Sequence, residues 1–172
     1  MNTQQRARYF KDKSGELETL SKQIISDFPE QFGLLQHLKI VYVFRDPPKY
    51  SQSKGTLVQG ECLKLSNRER DFYGMDAAIA IAKSIWKELG EKQRYKLMFH
   101  ELFHLEVYQD EALLPDRDDC NRIRYKLRKH DLNMERFAEE IDLFGFDSSE
   151  KSKAKKVVKL YRKHVINKVE TE

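Results

Sequence analysis

The sequence predicts an α+β fold in which a small, mostly antiparallel sheet of about three or four strands packs on one long helix, with further helices around it. Residues 38–44 are β-branched and aromatic and are followed by Pro47, which is typical of a buried strand. Residues 91–108 have a centre that is apolar nearly all round, which is typical of a helix buried on most of its faces. The 172 residues suffice for one domain with a hydrophobic core.

Hydrophobic spacing, Gly and Pro boundaries and charge alternation predict the other elements. Basic and apolar residues alternate with period two over 122–128, which predicts a half-buried strand at a sheet edge, where charge discourages aggregation. The other predicted elements are, in chain order, a helix over 15–28, a strand over 56–65 with a bulge at Gly60, a strand over 76–82, a short helical turn at Trp86, a helix after Asn133 and a final basic helix.

Composition excludes some classes of protein. No apolar run approaches the roughly 20 residues of a membrane span, so we expect no membrane partner. The N-terminus lacks the apolar stretch of a secretory signal, so we expect no export by that route. Two cysteines, Cys62 and Cys120, cannot form a disulfide framework, and they indicate a reducing, cytoplasmic location.

The C-terminal end is basic. We predict a first domain over residues 1–146, followed by a helical extension over 147–172. From residue 148 onward there are eight Lys or Arg and three Glu, a net charge of +5, whereas the whole chain carries +4. A solvated helix face is the expected role of such a run, and contact with nucleic acid through phosphate neutralisation is the alternative.

The motif that carries chemistry is H-E-x-x-H, formed by His100, Glu101 and His104. Four residues turn a helix by about 400°, so both imidazoles project from one face, where they can bind one Zn²⁺ at about 2.0–2.1 Å. Glu101 lies beside them and can accept a proton from a water molecule that the metal acidifies. Burying such polar groups in an apolar helix costs free energy unless they are paired or bind a metal. The alternative to a zinc site is a pair of core histidines that are satisfied by hydrogen bonds.

A catalytic zinc site of this kind needs a third protein ligand. We predict His130, which ends the alternating strand and precedes a helix, with Asp131 as the group that orients an imidazole. The carboxylates of the next helix stay open as alternative ligands: Glu135, Glu139 and Glu140.

Two further residues are candidates for contact with a substrate. Tyr108 lies one turn beyond His104 and its phenol could polarise a scissile carbonyl, although packing is the more ordinary role. Arg124 lies on the alternating strand, which could pair with an extended peptide and favour its acidic segments.

Several segments of the sequence, given at the end of this paragraph in chain order, resemble the phage metallopeptidase family of small zincin-like proteins from phages and prophages. The resemblance covers roughly residues 15–146 and implies a zincin-like fold, zinc bound by His100 and His104, and Glu101 as general base. His130 with Asp131 is similar to the third-ligand segment of SprT-like proteases, which supports His130 as a ligand. The matching segments are 39–44, 60–66, 76–82 with Trp86, 91–94, 100–104, and 128–131 with Phe137 and Gly145 behind it.

The sequence therefore predicts a zinc-dependent metallopeptidase, encoded by a phage or prophage, that hydrolyses a protein or peptide in the cytoplasm of a bacterial host. The alternative is a non-catalytic, zinc-stabilised binding protein whose basic C-terminal helix contacts nucleic acid or an acidic protein partner. A third hypothesis combines the two as a protease recruited to DNA, resembling SprT-like proteases.

Overall fold

A computed structural model describes residues 7–52, 55–130 and 143. The helices and strands given below belong to residues 1–129, one of the two compact units into which the chain divides. The helices predicted after Asn133 and the basic extension over 147–172 lie outside the described residues apart from Leu143, so they and the boundary at residue 146 stay predictions.

The described residues up to 129 form eight strands and five α-helices. The strands are β1 (Arg8–Lys11), β2 (Ile40–Asp46), β3 (Lys49–Ser51), β4 (Thr56–Val58), β5 (Gly60–Lys64), β6 (Ala77–Ala82), β7 (Leu105–Val107) and β8 (Tyr125–Leu127). The helices are α1 (Glu16–Asp27), α2 (Pro29–Phe32), α3 (Asn67–Tyr73), α4 (Lys83–Glu88) and α5 (Glu91–Phe103), with a 3-10 helix over Gly33–His37.

The main sheet has four strands in the order β1-β2-β6-β5. β1 runs antiparallel to β2 and β5 runs antiparallel to β6, whereas β2 and β6 are parallel. The predicted α+β class is present, but the sheet is mixed. All six residues of β6 are buried, and a strand that is apolar on both faces takes a central position, between β2 and β5.

The long helix is shorter than predicted. α5 ends at Phe103, and the chain then forms β7, which pairs antiparallel with β8 instead of continuing as helix to Tyr108. Leu105 and Val107 are buried while Glu106 between them is exposed, so this stretch has the period of two that a strand requires.

Two other predicted boundaries differ from the structure. The strand predicted over 56–65 is two strands, β4 and β5. β4 forms a hairpin with β3, which is not among the predicted strands. α1 ends at Asp27, and Pro29 begins α2, where its fixed φ suits the first turn of a helix.

The sequence analysis missed β1 and α3. Because all four residues of β1 are exposed, this strand has no hydrophobic pattern in the sequence. Only its pairing with β2 identifies it as a strand. α3 does carry a signal, because Ser66 and Glu69 form a capping box. The Ser66 hydroxyl accepts a hydrogen bond from the Glu69 N–H at 3.3 Å, and the Glu69 carboxylate accepts one from the Ser66 N–H at 2.8 Å.

Aromatic side chains hold α5 in the core. Phe99 has edge-to-face contacts with Phe28 and Phe32, with ring centroids 5.1 and 5.0 Å apart, and Phe103 contacts Phe32 at 5.1 Å. Each large side chain that is fully buried stabilises the fold by about 1.5–3 kcal/mol. Over the described residues, the structure has no helix with both the length and the apolar character to cross a membrane.

Candidate metal centre

α5 presents the H-E-x-x-H motif from a rigid position. The helix begins at Glu91, where the Gln93 side chain accepts a hydrogen bond from the Gly90 N–H at 3.0 Å. Met98, Phe99 and Leu102 are completely buried, which fixes the rotation of the helix about its axis. As a result His100 is half-buried, and Glu101, which is only 3% exposed, lies beneath the surface.

The two histidines of the motif lie side by side. Their ring centroids are 5.1 Å apart and the ring planes are nearly perpendicular, at 89°. His104 follows the last residue of α5 but keeps helical backbone angles, φ −68° and ψ −20°. The four-residue spacing therefore places both imidazoles one helical turn apart on one face.

A backbone carbonyl determines the tautomer of His104. The Nδ1 atom of His104 lies 2.8 Å from the carbonyl oxygen of Arg128. Because a carbonyl oxygen can only accept, Nδ1 is the donor and Nε2 of the neutral ring keeps its lone pair for a metal. The Arg128 N–H also donates to the His104 backbone carbonyl at 2.7 Å, so Arg128 binds both the ring and the backbone of His104.

His100, His104 and His130 form a group that could hold a metal ion. Each of them is half-buried and offers one ring nitrogen, and these ligand atoms all lie within 4.8 Å of one another. Zn–N bonds of about 2.0–2.1 Å at tetrahedral angles separate the nitrogens by about 3.4 Å, so small side-chain rotations would close the set. Three imidazoles that leave a fourth position open are a ligand set that zinc accepts in catalytic sites. The donor chemistry therefore fits the metal.

The other predicted ligands and the orienting carboxylate are not described. Glu135, Glu139, Glu140 and Asp131 lie outside the described residues, so their roles stay predictions.

Cys62 on β5 lies close enough to Glu101 for the charge of that carboxylate to act on its thiol. Burial raises the pKa of the Cys62 thiol far above its usual range, and the negative charge of Glu101 raises it further. Cys62 and Cys120 are both free cysteines.

The two candidate substrate contacts take part in surface interactions around β8. Tyr108 is 41% exposed, and the cationic groups of Arg124 and Lys126 lie 5.9 and 5.6 Å from its ring centroid. Arg124 also pairs with Asp116 at 3.0 Å. Carboxylates likewise pair with Lys126 and Arg122, so much of the basic charge of this segment is neutralised. The predicted preference of this segment for acidic peptides stays a prediction.

A buried ion pair that sequence reasoning missed positions the segment before β8. Arg70, which is 7% exposed, donates to one carboxylate oxygen of Asp76 at 2.6 and 3.0 Å and to the Ile123 carbonyl at 2.7 Å. The Tyr125 hydroxyl donates to the Asp76 carbonyl at 2.6 Å, and burial raises the pKa of this phenol to about 12. Arg70 and Ile123 are 53 positions apart in the chain, so no local pattern predicts this contact.

Comparison with known proteins identifies the family. A family model described as Putative phage metallopeptidase matches residues 8–164. Neither the curated proteins nor the solved structures include one that matches the chain. Because the matched residues span most of the sequence, this chain belongs to the phage metallopeptidase family.

Proposed function

We propose that this protein is a zinc-dependent peptidase in which His100, His104 and His130 bind the ion and Glu101 is the general base. The observation that carries the proposal is the group of three histidines whose ligand atoms all lie within 4.8 Å of one another, two of them in a motif whose Glu101 is buried. The family implies a metal ion without naming it, and an all-imidazole ligand set favours zinc over Mg²⁺ or Ca²⁺. When bound, zinc supplies Lewis acidity at the scissile carbonyl and lowers the pKa of water.

Glu101 handles the protons of the reaction. Its carboxylate accepts a proton from the attacking water as the water oxygen bonds to the carbonyl carbon. Glu101 then passes that proton to the amide nitrogen as the C–N bond breaks, and it returns to its starting state. The burial of Glu101 keeps bulk water away from the carboxylate while it holds the proton.

We propose that the peptide substrate binds as an added strand along β5, instead of along β8 as the sequence suggested. β5 forms one edge of the main sheet. The Ala82 N–H donates to the Gln59 carbonyl at 2.8 Å, and in the same register Gly60 lies opposite Ile81. Because bonded and non-bonded pairs alternate in an antiparallel ladder, the N–H and C=O groups of Gly60 and Cys62 point away from β6. An extended peptide could pair with them next to Glu101.

Two measurements test the proposed function. Hydrolysis of fluorescein-labelled casein and zinc content by elemental analysis are compared for wild type, Glu101→Gln and His100→Ala. We expect Glu101→Gln to keep zinc and to hydrolyse casein at a rate about 100-fold or more below that of wild type. We expect His100→Ala to lose the metal. Casein cleavage by Glu101→Gln at the wild-type rate would show that Glu101 is not the base.

The third ligand has its own test. We expect His130→Ala to lose zinc and Glu139→Ala to retain it, with metal content measured in the same way. The reverse result would assign the third position to the carboxylate.

The remaining predictions from the sequence concern nucleic-acid binding by the C-terminal segment, which lies outside the residues that the structure describes, and the location of the protein. Contact between nucleic acid and the basic segment over 147–172 stays a prediction, as does the cytoplasmic location. If residues 148–172 bind DNA, a chain that lacks them should cleave casein normally and lose its salt-sensitive DNA affinity.

A further inference from the structure

Gly60 on β5 lies directly against the side chain of Glu101. A Cβ atom at position 60 would lie 2.8 Å from Cδ of Glu101 and 3.0 Å from Cγ, and closer still to the carboxylate oxygen Oε1. Separations below 3.0 Å do not occur for real Cβ atoms, so any side chain at this position would displace the Glu101 carboxylate.

The backbone does not explain this glycine. The described glycines with positive φ are Gly15, Gly55 and Gly74, and Gly60 is not among them. A residue with a side chain could therefore adopt the backbone conformation of Gly60. Contact with Glu101 is the physical reason for glycine at this position.

The clash would fall on the chemical end of Glu101. Glu101 is buried on a helix packed in the core, so its backbone cannot retreat from β5, and the side chain has to rotate instead. Rotation moves the carboxylate, while His100 and His104 keep their places on α5. Substitution of Gly60 should thus separate the base from the metal ligands without removing either.

We infer that Gly60 is a positioning residue for Glu101: the missing side chain on β5 allows the carboxylate to stay where it can exchange protons next to the metal. This inference rests on the proposed function. It assigns to β5 a second role besides strand pairing, which is to form the wall against which the base is held.

The test uses the full-length, zinc-loaded protein and acetohydroxamate as the probe. Acetohydroxamate binds zinc through two oxygens, and a neighbouring carboxylate can accept its N–OH proton, so its affinity reports the position of Glu101 without any substrate. Affinity is measured by calorimetry for wild type, Gly60→Ala, Glu101→Gln and the double variant. Gly33→Ala is the matched control, because Gly33 has negative φ and a Cβ atom added there would meet nothing within 4 Å.

We expect Gly60→Ala and Glu101→Gln each to weaken acetohydroxamate binding by about 10-fold or more, with zinc content unchanged. The double variant should bind no more weakly than Glu101→Gln, because Gly60 acts through Glu101. Gly33→Ala should bind as wild type does. Wild-type affinity in Gly60→Ala, additive losses in the double variant, or loss of zinc from Gly60→Ala would each overturn the inference.

A crystal structure of the Gly60→Ala variant separates this inference from the proposed function. We expect the Glu101 carboxylate to be displaced by about 1 Å or more from its position against β5. If the wild-type protein binds no zinc, the proposed function fails, and this structure still decides whether Gly60 positions Glu101. A carboxylate that stays in its wild-type place in Gly60→Ala would refute the inference on its own.

Discussion

Replacing Arg70 with methionine should destabilise the protein strongly, although Arg70 lies outside the proposed catalytic residues. Methionine keeps much of the buried volume of the side chain and removes its hydrogen bonds to the Asp76 carboxylate and to the Ile123 carbonyl. Asp76 is left with the hydrogen bond from the Lys39 N–H at 2.9 Å, in a side chain that is 15% exposed.

The magnitude follows from the burial of the pair. Removing one partner of a buried ion pair costs about 3–5 kcal/mol, because the other charge stays buried without compensation. The remaining bond to Lys39 and the partial exposure of Asp76 place the expected loss near the lower end, at about 3 kcal/mol. For a chain of this length, that loss lowers Tm by roughly 6–12 °C.

Thermal unfolding followed by circular dichroism, together with urea titration, measures this effect. Lys22→Met is the matched control, because Lys22 pairs with Glu18 at 2.7 Å but the two side chains are 74% and 53% exposed. Screening by solvent makes such a pair nearly neutral, so we expect Tm within about 1 °C of wild type. A fall of less than about 2 °C in Arg70→Met would refute the argument that this pair holds the segment before β8.

Three further predictions concern the capping box, the cysteines and the metal. Ser66→Ala should lower Tm by about 2–4 °C at pH 7. Hydrogen bonds from Ser66 lower the pKa of Glu69 below 4.5, so they stabilise the folded protein above that pH and stop doing so as Glu69 becomes protonated. Urea titrations should therefore show that the stability lost in Ser66→Ala becomes smaller as the pH falls below 4.5. Iodoacetamide at pH 8 should modify the exposed Cys120 and spare Cys62, whose raised pKa keeps it a thiol, and both should react in urea. Equal labelling of the two cysteines in the folded protein, mapped by mass spectrometry, would contradict the raised pKa of Cys62. Zinc added to chelator-treated protein should raise Tm by several degrees, and the same rise in His104→Ala would show that this imidazole is not a ligand.

Local patterns predicted the central parts of the fold well. The runs over 38–44 and 76–82 are recognisable as strands because β-branched, aromatic and small apolar side chains lie in short continuous stretches. The H-E-x-x-H motif lies on a helix, and its spacing alone places both histidines on one face. These features depend on residues close in sequence, so no tertiary information is needed to find them.

The order of the strands could not be predicted in the same way. The parallel pairing of β2 with β6 joins residues 37 positions apart in the chain, and hydrophobic periodicity does not specify which strands pair. β1 has no hydrophobic pattern, because all its residues are exposed and backbone hydrogen bonds to β2 hold it in place. The early end of α5 has a similar cause, since β8 offers Leu105 and Val107 strand pairing at the point where helix propensity alone would continue the helix.

The sequence by itself determined which groups the candidate site offers: two imidazoles one helical turn apart, with a carboxylate next to the first in the chain, on a helix that has to be buried. The tertiary structure decided what surrounds them. Arg128 offers its carbonyl to His104, and Gly60 leaves room for Glu101, through contacts between residues 24 and 41 positions apart in the chain. Hydrogen bonding and steric exclusion act over a few ångströms of space, and the sequence does not show which distant residues the fold brings within that range.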